Sequence, residues 1–143
     1  MYGKIRVLIV DDEERFRLTT QKVLNKKGFH VLLASGGREA IEKLEEHPDV
    51  VVLDVKMPEM DGLEALRELK KIKPGIEVII LTGHASVDAA IEGMKWGAFD
   101  FLIKPCDIEQ LIDKIEEAYT RKKEREERIR KAERLKMRHQ ESP

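Results

Sequence analysis

The sequence predicts an α/β protein built on a doubly wound, five-stranded parallel sheet, and three observations lead there. Strand-sized apolar runs alternate strictly with segments of helical period, five of each. Two of the runs, Val-Leu-Ile-Val at 7–10 and Val-Ile-Ile-Leu at 78–81, are apolar without alternation, as strands buried on both faces are. Gly and Pro breakers separate the units. Right-handed crossovers between parallel strands then put helices on both faces, giving a three-layer (βα)5 sandwich.

The first strand is expected at 5–10, where Val and Ile suit a sheet. Phe16, Thr20, Val23 and Leu24 form one helical face after it, closed by Lys27-Gly28. The second strand, 30–34, leads to a helix marked by Ala40, Ile41 and Leu44 and ended at His47-Pro48. The third, 50–53, leads to Leu63, Leu66 and Leu69 with Ile72 beyond, stopped by Lys73-Pro74-Gly75. The fourth, 77–81, precedes Val87, Ala90, Ile91 and Met94, closed by Gly97. The fifth, 99–103, precedes Ile108, Leu111, Ile112 and Ile115.

That last helix has no obvious stop. From 121 to 138 the chain is mostly Lys, Arg and Glu, with Ile129, Ala132, Leu135 and Met137 as its few apolar positions. The spacing is too sparse for regular heptads, so a solvated helix carrying intrahelical charge pairs is expected, or else a signalling helix that pairs with a second copy or a partner. The charge is split accordingly. Residues 1–120 carry 17 basic and 23 acidic side chains, whereas 121–143 carry 10 and 5. The expected organisation is one domain over 1–120 and a charged helical extension over 121–143. The final Glu141-Ser142-Pro143 is no recognisable domain end, which leaves room for an effector domain beyond it. Direct nucleic-acid binding is not expected of the tail, because its basic residues are interleaved with acidic ones and lack aromatics.

Composition excludes several classes. The single Cys106 rules out an internal disulfide framework and a Cys-rich zinc site. No apolar run approaches the ~20 residues that span a bilayer, and the N-terminal residues do not read as a signal peptide, so a cytoplasmic protein is expected. His30, His47 and His139 show no metal-ligand spacing.

In an open parallel sheet the reactive crevice lies beyond the carboxyl ends of the strands. Asp11-Asp12 follow the first strand, Asp54 the third, Thr82-Gly83 the fourth and Lys104-Pro105 the fifth. Three carboxylates brought together repel unless a cation neutralises them. A hard divalent cation such as magnesium, bound through carboxylates and waters beside a phosphoryl group, would do so. Thr82 and Lys104 supply the donor and the positive charge that phosphoryl oxygens require. No Ser/His/Asp or Cys/His set is apparent, and Ser35-Gly36-Gly37 fits no phosphate-loop pattern.

Asp11-Asp12, Asp54 within Leu-Asp-Val-Lys-Met-Pro-Glu-Met-Asp-Gly, Thr82 and Lys104-Pro105 together resemble a response regulator receiver domain of bacterial two-component signalling, over about residues 4–120. The runs Leu-Thr-Gly-His-Ala-Ser-Val and Gly-Ala-Phe-Asp-Phe-Leu-Ile-Lys-Pro look most like receivers attached to transcriptional activators. The resemblance implies a flavodoxin-like fold, with Asp54 as phosphoacceptor from a sensor histidine kinase, a phosphotransfer protein or a small phosphodonor. It implies magnesium (or manganese) held by Asp12, Asp54 and the Lys56 backbone carbonyl, with Asp11 holding coordinated water. Lys104 would pair with Asp54 at rest and with the phosphoryl oxygen afterwards. Thr82 and Phe101 would be the switch pair, Thr82 swinging toward the phosphoryl oxygen and Phe101 rotating inward. Lys104-Pro105 would be cis. Phe101 stands where the family often has Tyr, so an output contact through a phenol hydroxyl is absent. The Lys56 and His84 side chains would set the lifetime of the acyl phosphate. The fourth helix, fifth strand and fifth helix would form the switching face, through which, or through the C-terminal helix, a homodimer could form. Such a chain is not an enzyme beyond its own phosphorylation and dephosphorylation.

Plainer readings stand beside these. Asp11 and Asp12 could cap the first helix, Asp54 could be a turn residue, Thr82 a strand end, and Lys104 and His84 surface residues. Cys106, Met94 and Trp96 read as structural. A magnesium-dependent phosphatase or phosphotransferase with an aspartyl intermediate also fits the acidic cluster, as does an interaction module that is never phosphorylated.

Overall fold

The computed structural model describes residues 5–56, 61–83 and 86–141. Its elements are β1 (Arg6–Val10), α1 (Glu14–Lys26), β2 (His30–Ala34), α2 (Gly37–Lys43), a 3-10 turn (Leu44–Glu46), β3 (Val50–Leu53), α3 (Gly62–Ile72), β4 (Glu77–Thr82), α4 (Val87–Lys95), β5 (Asp100–Ile103) and α5 (Ile108–Glu141). All strand pairings are parallel, in the order β2-β1-β3-β4-β5. The sequence order reverses at β1, so β1 and β3 lie side by side and their carboxyl ends open a crevice at the switch point.

Strand parity builds the two cores. Side chains alternate across a sheet, so Leu8, Val10, Val51, Leu53, Val78 and Ile80 meet α2, α3 and α4, burying Ala40, Leu66, Leu69 and Ala90. Val7, Ile9, Val50, Val52, Ile79 and Leu81 meet α1 and α5, burying Leu24, Leu111, Ile112 and Ile115. This double burial is why 7–10 and 78–81 carry no polar alternation.

The element boundaries differ from expectation by a residue in places. β1 starts at Arg6, β5 starts at Asp100, and β4 runs on to Thr82. The positive φ angles of Gly28 and Gly97, at 100° and 105°, end α1 and α4 as the breakers predicted. At α1 the N-cap is Glu13 with no side-chain cap, so neither Asp11 nor Asp12 takes the capping role that a plainer reading allows. The Asp11 carboxylate instead accepts from the Glu13 N–H at 3.0 Å, within the loop before the helix.

α5 crosses residue 120 without a break. Arg121, Lys122 and Arg125 reach back to Glu77 and Asp49 at the amino ends of the strands. From Arg128 to Gln140 the helix is exposed, braced by pairs such as Glu127–Arg130 at 2.6 Å. Among the described residues no helix is long and apolar enough to cross a membrane.

Candidate functional site: a carboxylate cluster at the carboxyl ends of the strands

Hydrogen bonds that extend the sheet place the acidic residues. The Asp11 N–H donates to the Ala34 carbonyl, and the Asp54 N–H donates to that of Val10, at 3.0 Å. Both aspartates therefore sit one residue past adjacent strands. With Asp12 they form a group in which one carboxylate oxygen of each residue lies within 4.8 Å of the others. Asp11 and Asp54 are buried and Asp12 is exposed, so the cluster has a floor and an open side.

The two Asp54 oxygens are in different situations. Oδ1 accepts from the Thr82 hydroxyl at 2.9 Å and from the Lys56 N–H at 3.0 Å. Oδ2 faces the Lys104 ammonium at 3.8 Å. The expected pair of Lys104 with Asp54 is present, but Lys104 is closer to Asp11, at 2.6 Å from its Oδ2, a partner the sequence did not indicate. Asp11 is the more deeply buried carboxylate, so it has the greater need of a cation. Thr82 already lies on Asp54, its hydroxyl donating to Oδ1. The peptide bond between Lys104 and Pro105 is cis, and the Lys104 N–H donates to the Thr82 carbonyl at 2.7 Å, fixing the fifth loop against the fourth.

Among the described residues the three clustered carboxylates have one ion-pair partner, Lys104, which leaves a net formal charge of −2. An all-oxygen donor set with that charge fits a hard divalent cation such as magnesium. Phe101 is partly buried and packs on the α3/α4 core, paired in register with Ile80. His84 lies outside the described residues. Cys106 packs against the α1/α5 core, and burial pushes its thiol pKa up, consistent with a structural role.

Two residues of the site have no role in the sequence-based reading. Phe16, counted there only as part of an apolar helix face, lays its ring against Lys104, 4.1 Å from the ammonium. Its signal was its place, one turn beyond Asp12. The other is Gly62, which opens α3 with its Cα against the backbone that follows Asp54. A Cβ there would lie 2.2 Å from Val55 Cα and 2.5 Å from the Asp54 carbonyl oxygen. Gly62→Ala must therefore push on backbone and displace the Asp54 loop. It is expected to cost about 1–3 kcal/mol in urea unfolding and to slow any chemistry at Asp54, whereas Ala at the open Gly36 should do neither.

This geometry defines a class, and comparison with known proteins agrees. The chain belongs to the response regulator receiver domain family, which it matches over residues 7–116. It is 42% identical over 118 residues to the transcriptional regulatory protein ZraR of Escherichia coli K12, covering 82% of this chain and 27% of that protein. It is 39% identical over 110 residues to the chemotaxis protein CheY of Thermotoga maritima, covering 76% of this chain and 92% of that protein. Among solved structures, a receiver domain protein from Clostridium thermocellum superposes with a TM-score of 0.79 at 42% identity, covering 83% and 97% of the two chains. NtrX from Brucella abortus superposes with a TM-score of 0.81 at 30% identity, covering 85% and 28%. The chain thus spans about a quarter of the length of the ZraR regulators it matches. It is a receiver domain of a bacterial-type two-component response regulator.

Proposed function

We propose that the chain accepts a phosphoryl group on Asp54, with magnesium, from a sensor histidine kinase or phosphotransfer protein, and that the modified site alters the face made by α4, β5 and α5. The observation that carries this is the asymmetry of Asp54: among the described residues, Oδ1 is held by two donors, while Oδ2 has only the longer contact to Lys104. Oδ2 is the oxygen available to attack. It forms the new O–P bond as the donor's P–N bond (phosphohistidine) or P–O bond (acetyl phosphate) breaks, and the bonding pair leaves with the imidazole or acetate.

Asp11, Asp12, Asp54 and the Lys56 carbonyl would hold the magnesium, which when bound supplies positive charge beside the entering phosphoryl oxygens. Lys104, within reach of both Asp11 and Asp54, would donate to one of those oxygens, and the Thr82 hydroxyl to another. Phosphorylation adds charge and acceptors at one spot, and β4 and β5 carry Thr82 and Lys104 at their ends, so the response starts on the strands beside α4 and α5. Ile91, Met94 and Trp96 are exposed on and just after α4, and Ile129, Leu135 and Met137 on the α5 extension, offering apolar contacts to a partner or second copy. A cytoplasmic location suits such a partner set. The chain turns over no substrate other than its own phosphoryl group.

Incubating the whole chain with magnesium and acetyl phosphate tests this. The intact mass should rise by one phosphoryl group, the gain should be reversed by hydroxylamine as an acyl phosphate requires, and EDTA should prevent it. No mass gain would overturn the reading. Steady hydrolysis of p-nitrophenyl phosphate would replace it with an enzymatic one.

A further inference from the structure

We propose that Phe16 is a positioning residue for Lys104, its ring face holding the ammonium where it can serve Asp54; this deepens the phosphoacceptor reading and rests on it. Lysine reaches the site on a flexible four-carbon stem, and fixing such a stem costs rotamer entropy. Among the described residues, three groups hold its end. Asp11 Oδ2 lies at 2.6 Å, Asp54 Oδ2 at 3.8 Å and the centroid of the Phe16 ring at 4.1 Å.

The first two are carboxylates that the proposed cation would also engage, so both contacts weaken when the site is loaded. The ring has no such competitor. A π face attracts a cation through its quadrupole, more strongly where water is excluded. Lys104 is three-quarters shielded, and Phe16 is itself packed against the core that α1 and α5 share. The ring is also anchored from its own helix, because the following residue, Arg17, donates from Nη1 to the Asp11 carbonyl at 2.7 Å. Phe16 thus restrains the ammonium without neutralising it. A carboxylate there would pair with Lys104 and withdraw it from the phosphoryl group. An aliphatic side chain would exclude water but offer no attraction.

The discriminating experiment changes the ring's electrostatics and leaves its size nearly constant. Mono-, di- and trifluorophenylalanine are introduced at position 16 alone in the whole chain, and the rate of phosphoryl uptake from acetyl phosphate with magnesium is followed by intact mass. The rate is expected to fall stepwise with each fluorine, reaching about a three- to tenfold loss for the trifluoro ring, with the thermal midpoint unchanged. Phe16→Leu should lose at least as much, and Phe16→Tyr, which keeps a π face, should stay within about twofold of the parent. A flat fluorine series on an active chain would show that Phe16 only fills space and would overturn the proposal alone. An unmodified chain that takes up no phosphoryl group overturns the Asp54 reading and this one with it. The two failures are therefore distinct.

Discussion

Asp54→Asn is expected to abolish phosphoryl uptake from acetyl phosphate while leaving the fold intact. The substitution is nearly isosteric, and the amide oxygen can still accept from the Thr82 hydroxyl and the Lys56 N–H that now hold Oδ1. What disappears is the anionic Oδ2, which with Asp11 Oδ2 faces Lys104. An amide is a poor nucleophile toward phosphorus, and the Thr82 hydroxyl is committed to the neighbouring oxygen. Removing one of three clustered negative charges also relieves repulsion. The variant should therefore be at least as stable as the parent in magnesium-free buffer, and should gain less thermal stability than the parent on adding magnesium, since a ligand stabilises only in proportion to its binding. Phosphoryl uptake at the parent rate in Asp54→Asn would move the acceptor elsewhere. A variant that is unfolded in magnesium-free buffer would contradict the repulsion argument.

The sheet and the acidic half of the site were legible because they depend on patterns local in sequence. The unbroken apolar runs at 7–10 and 78–81 mark two-sided burial, and a parallel sheet dictates where the residues after each strand must meet. Asp11, Asp54, Thr82 and Lys104 are brought together by that rule, whichever contacts their side chains then make. The contacts themselves were not legible. Whether Lys104 prefers Asp11 or Asp54 depends on relative burial within a few ångströms, which spacing does not encode. Phe16 had an apolar explanation that hid a second one. The close approach of Gly62 to the backbone after Asp54 depends on how α3 enters the sheet, a tertiary fact. The tail misled in another way. Its charges suggested a solvated extension, and from Arg128 it is one, yet Arg121, Lys122 and Arg125 belong to the body. The available signal was Glu77, an acidic residue opening an otherwise apolar strand and so in need of a cation from elsewhere in the chain.

That pairing leads to the largest expected effect on stability. Glu77 is fully buried, and its carboxylate is held by Arg121, with one contact at 2.8 Å, and by Arg125 at 3.5 Å. The hydrogen bond to Glu77 in turn holds the Arg121 pKa above its ordinary value. Arg121 also covers the Phe99 ring at 4.6 Å, and Arg125 donates to the Gly75 carbonyl at 3.1 Å, so the helix is fastened to the residues just before β5 and just before β4. Breaking a buried pair by removing one side leaves an uncompensated charge, typically at a cost of about 3–5 kcal/mol. Replacing both arginines by Met should cost about that much, and in urea it should lower the unfolding midpoint by about 1–3 M. Adding Glu77→Leu to the same chain should restore most of the loss, because the buried charge is then gone and apolar packing takes its place. The same logic applies to the position of the domain's end. A chain cut after Thr120 loses Arg121, Lys122 and Arg125 together and should unfold earlier than one cut after Arg128, which keeps all three. Equal midpoints for the two truncations would show that the helix beyond 120 contributes nothing to the body. A restored midpoint in the triple variant would show instead that this ionic anchor of α5 is a matter of charge neutralisation, acting at the end of β4 opposite Thr82.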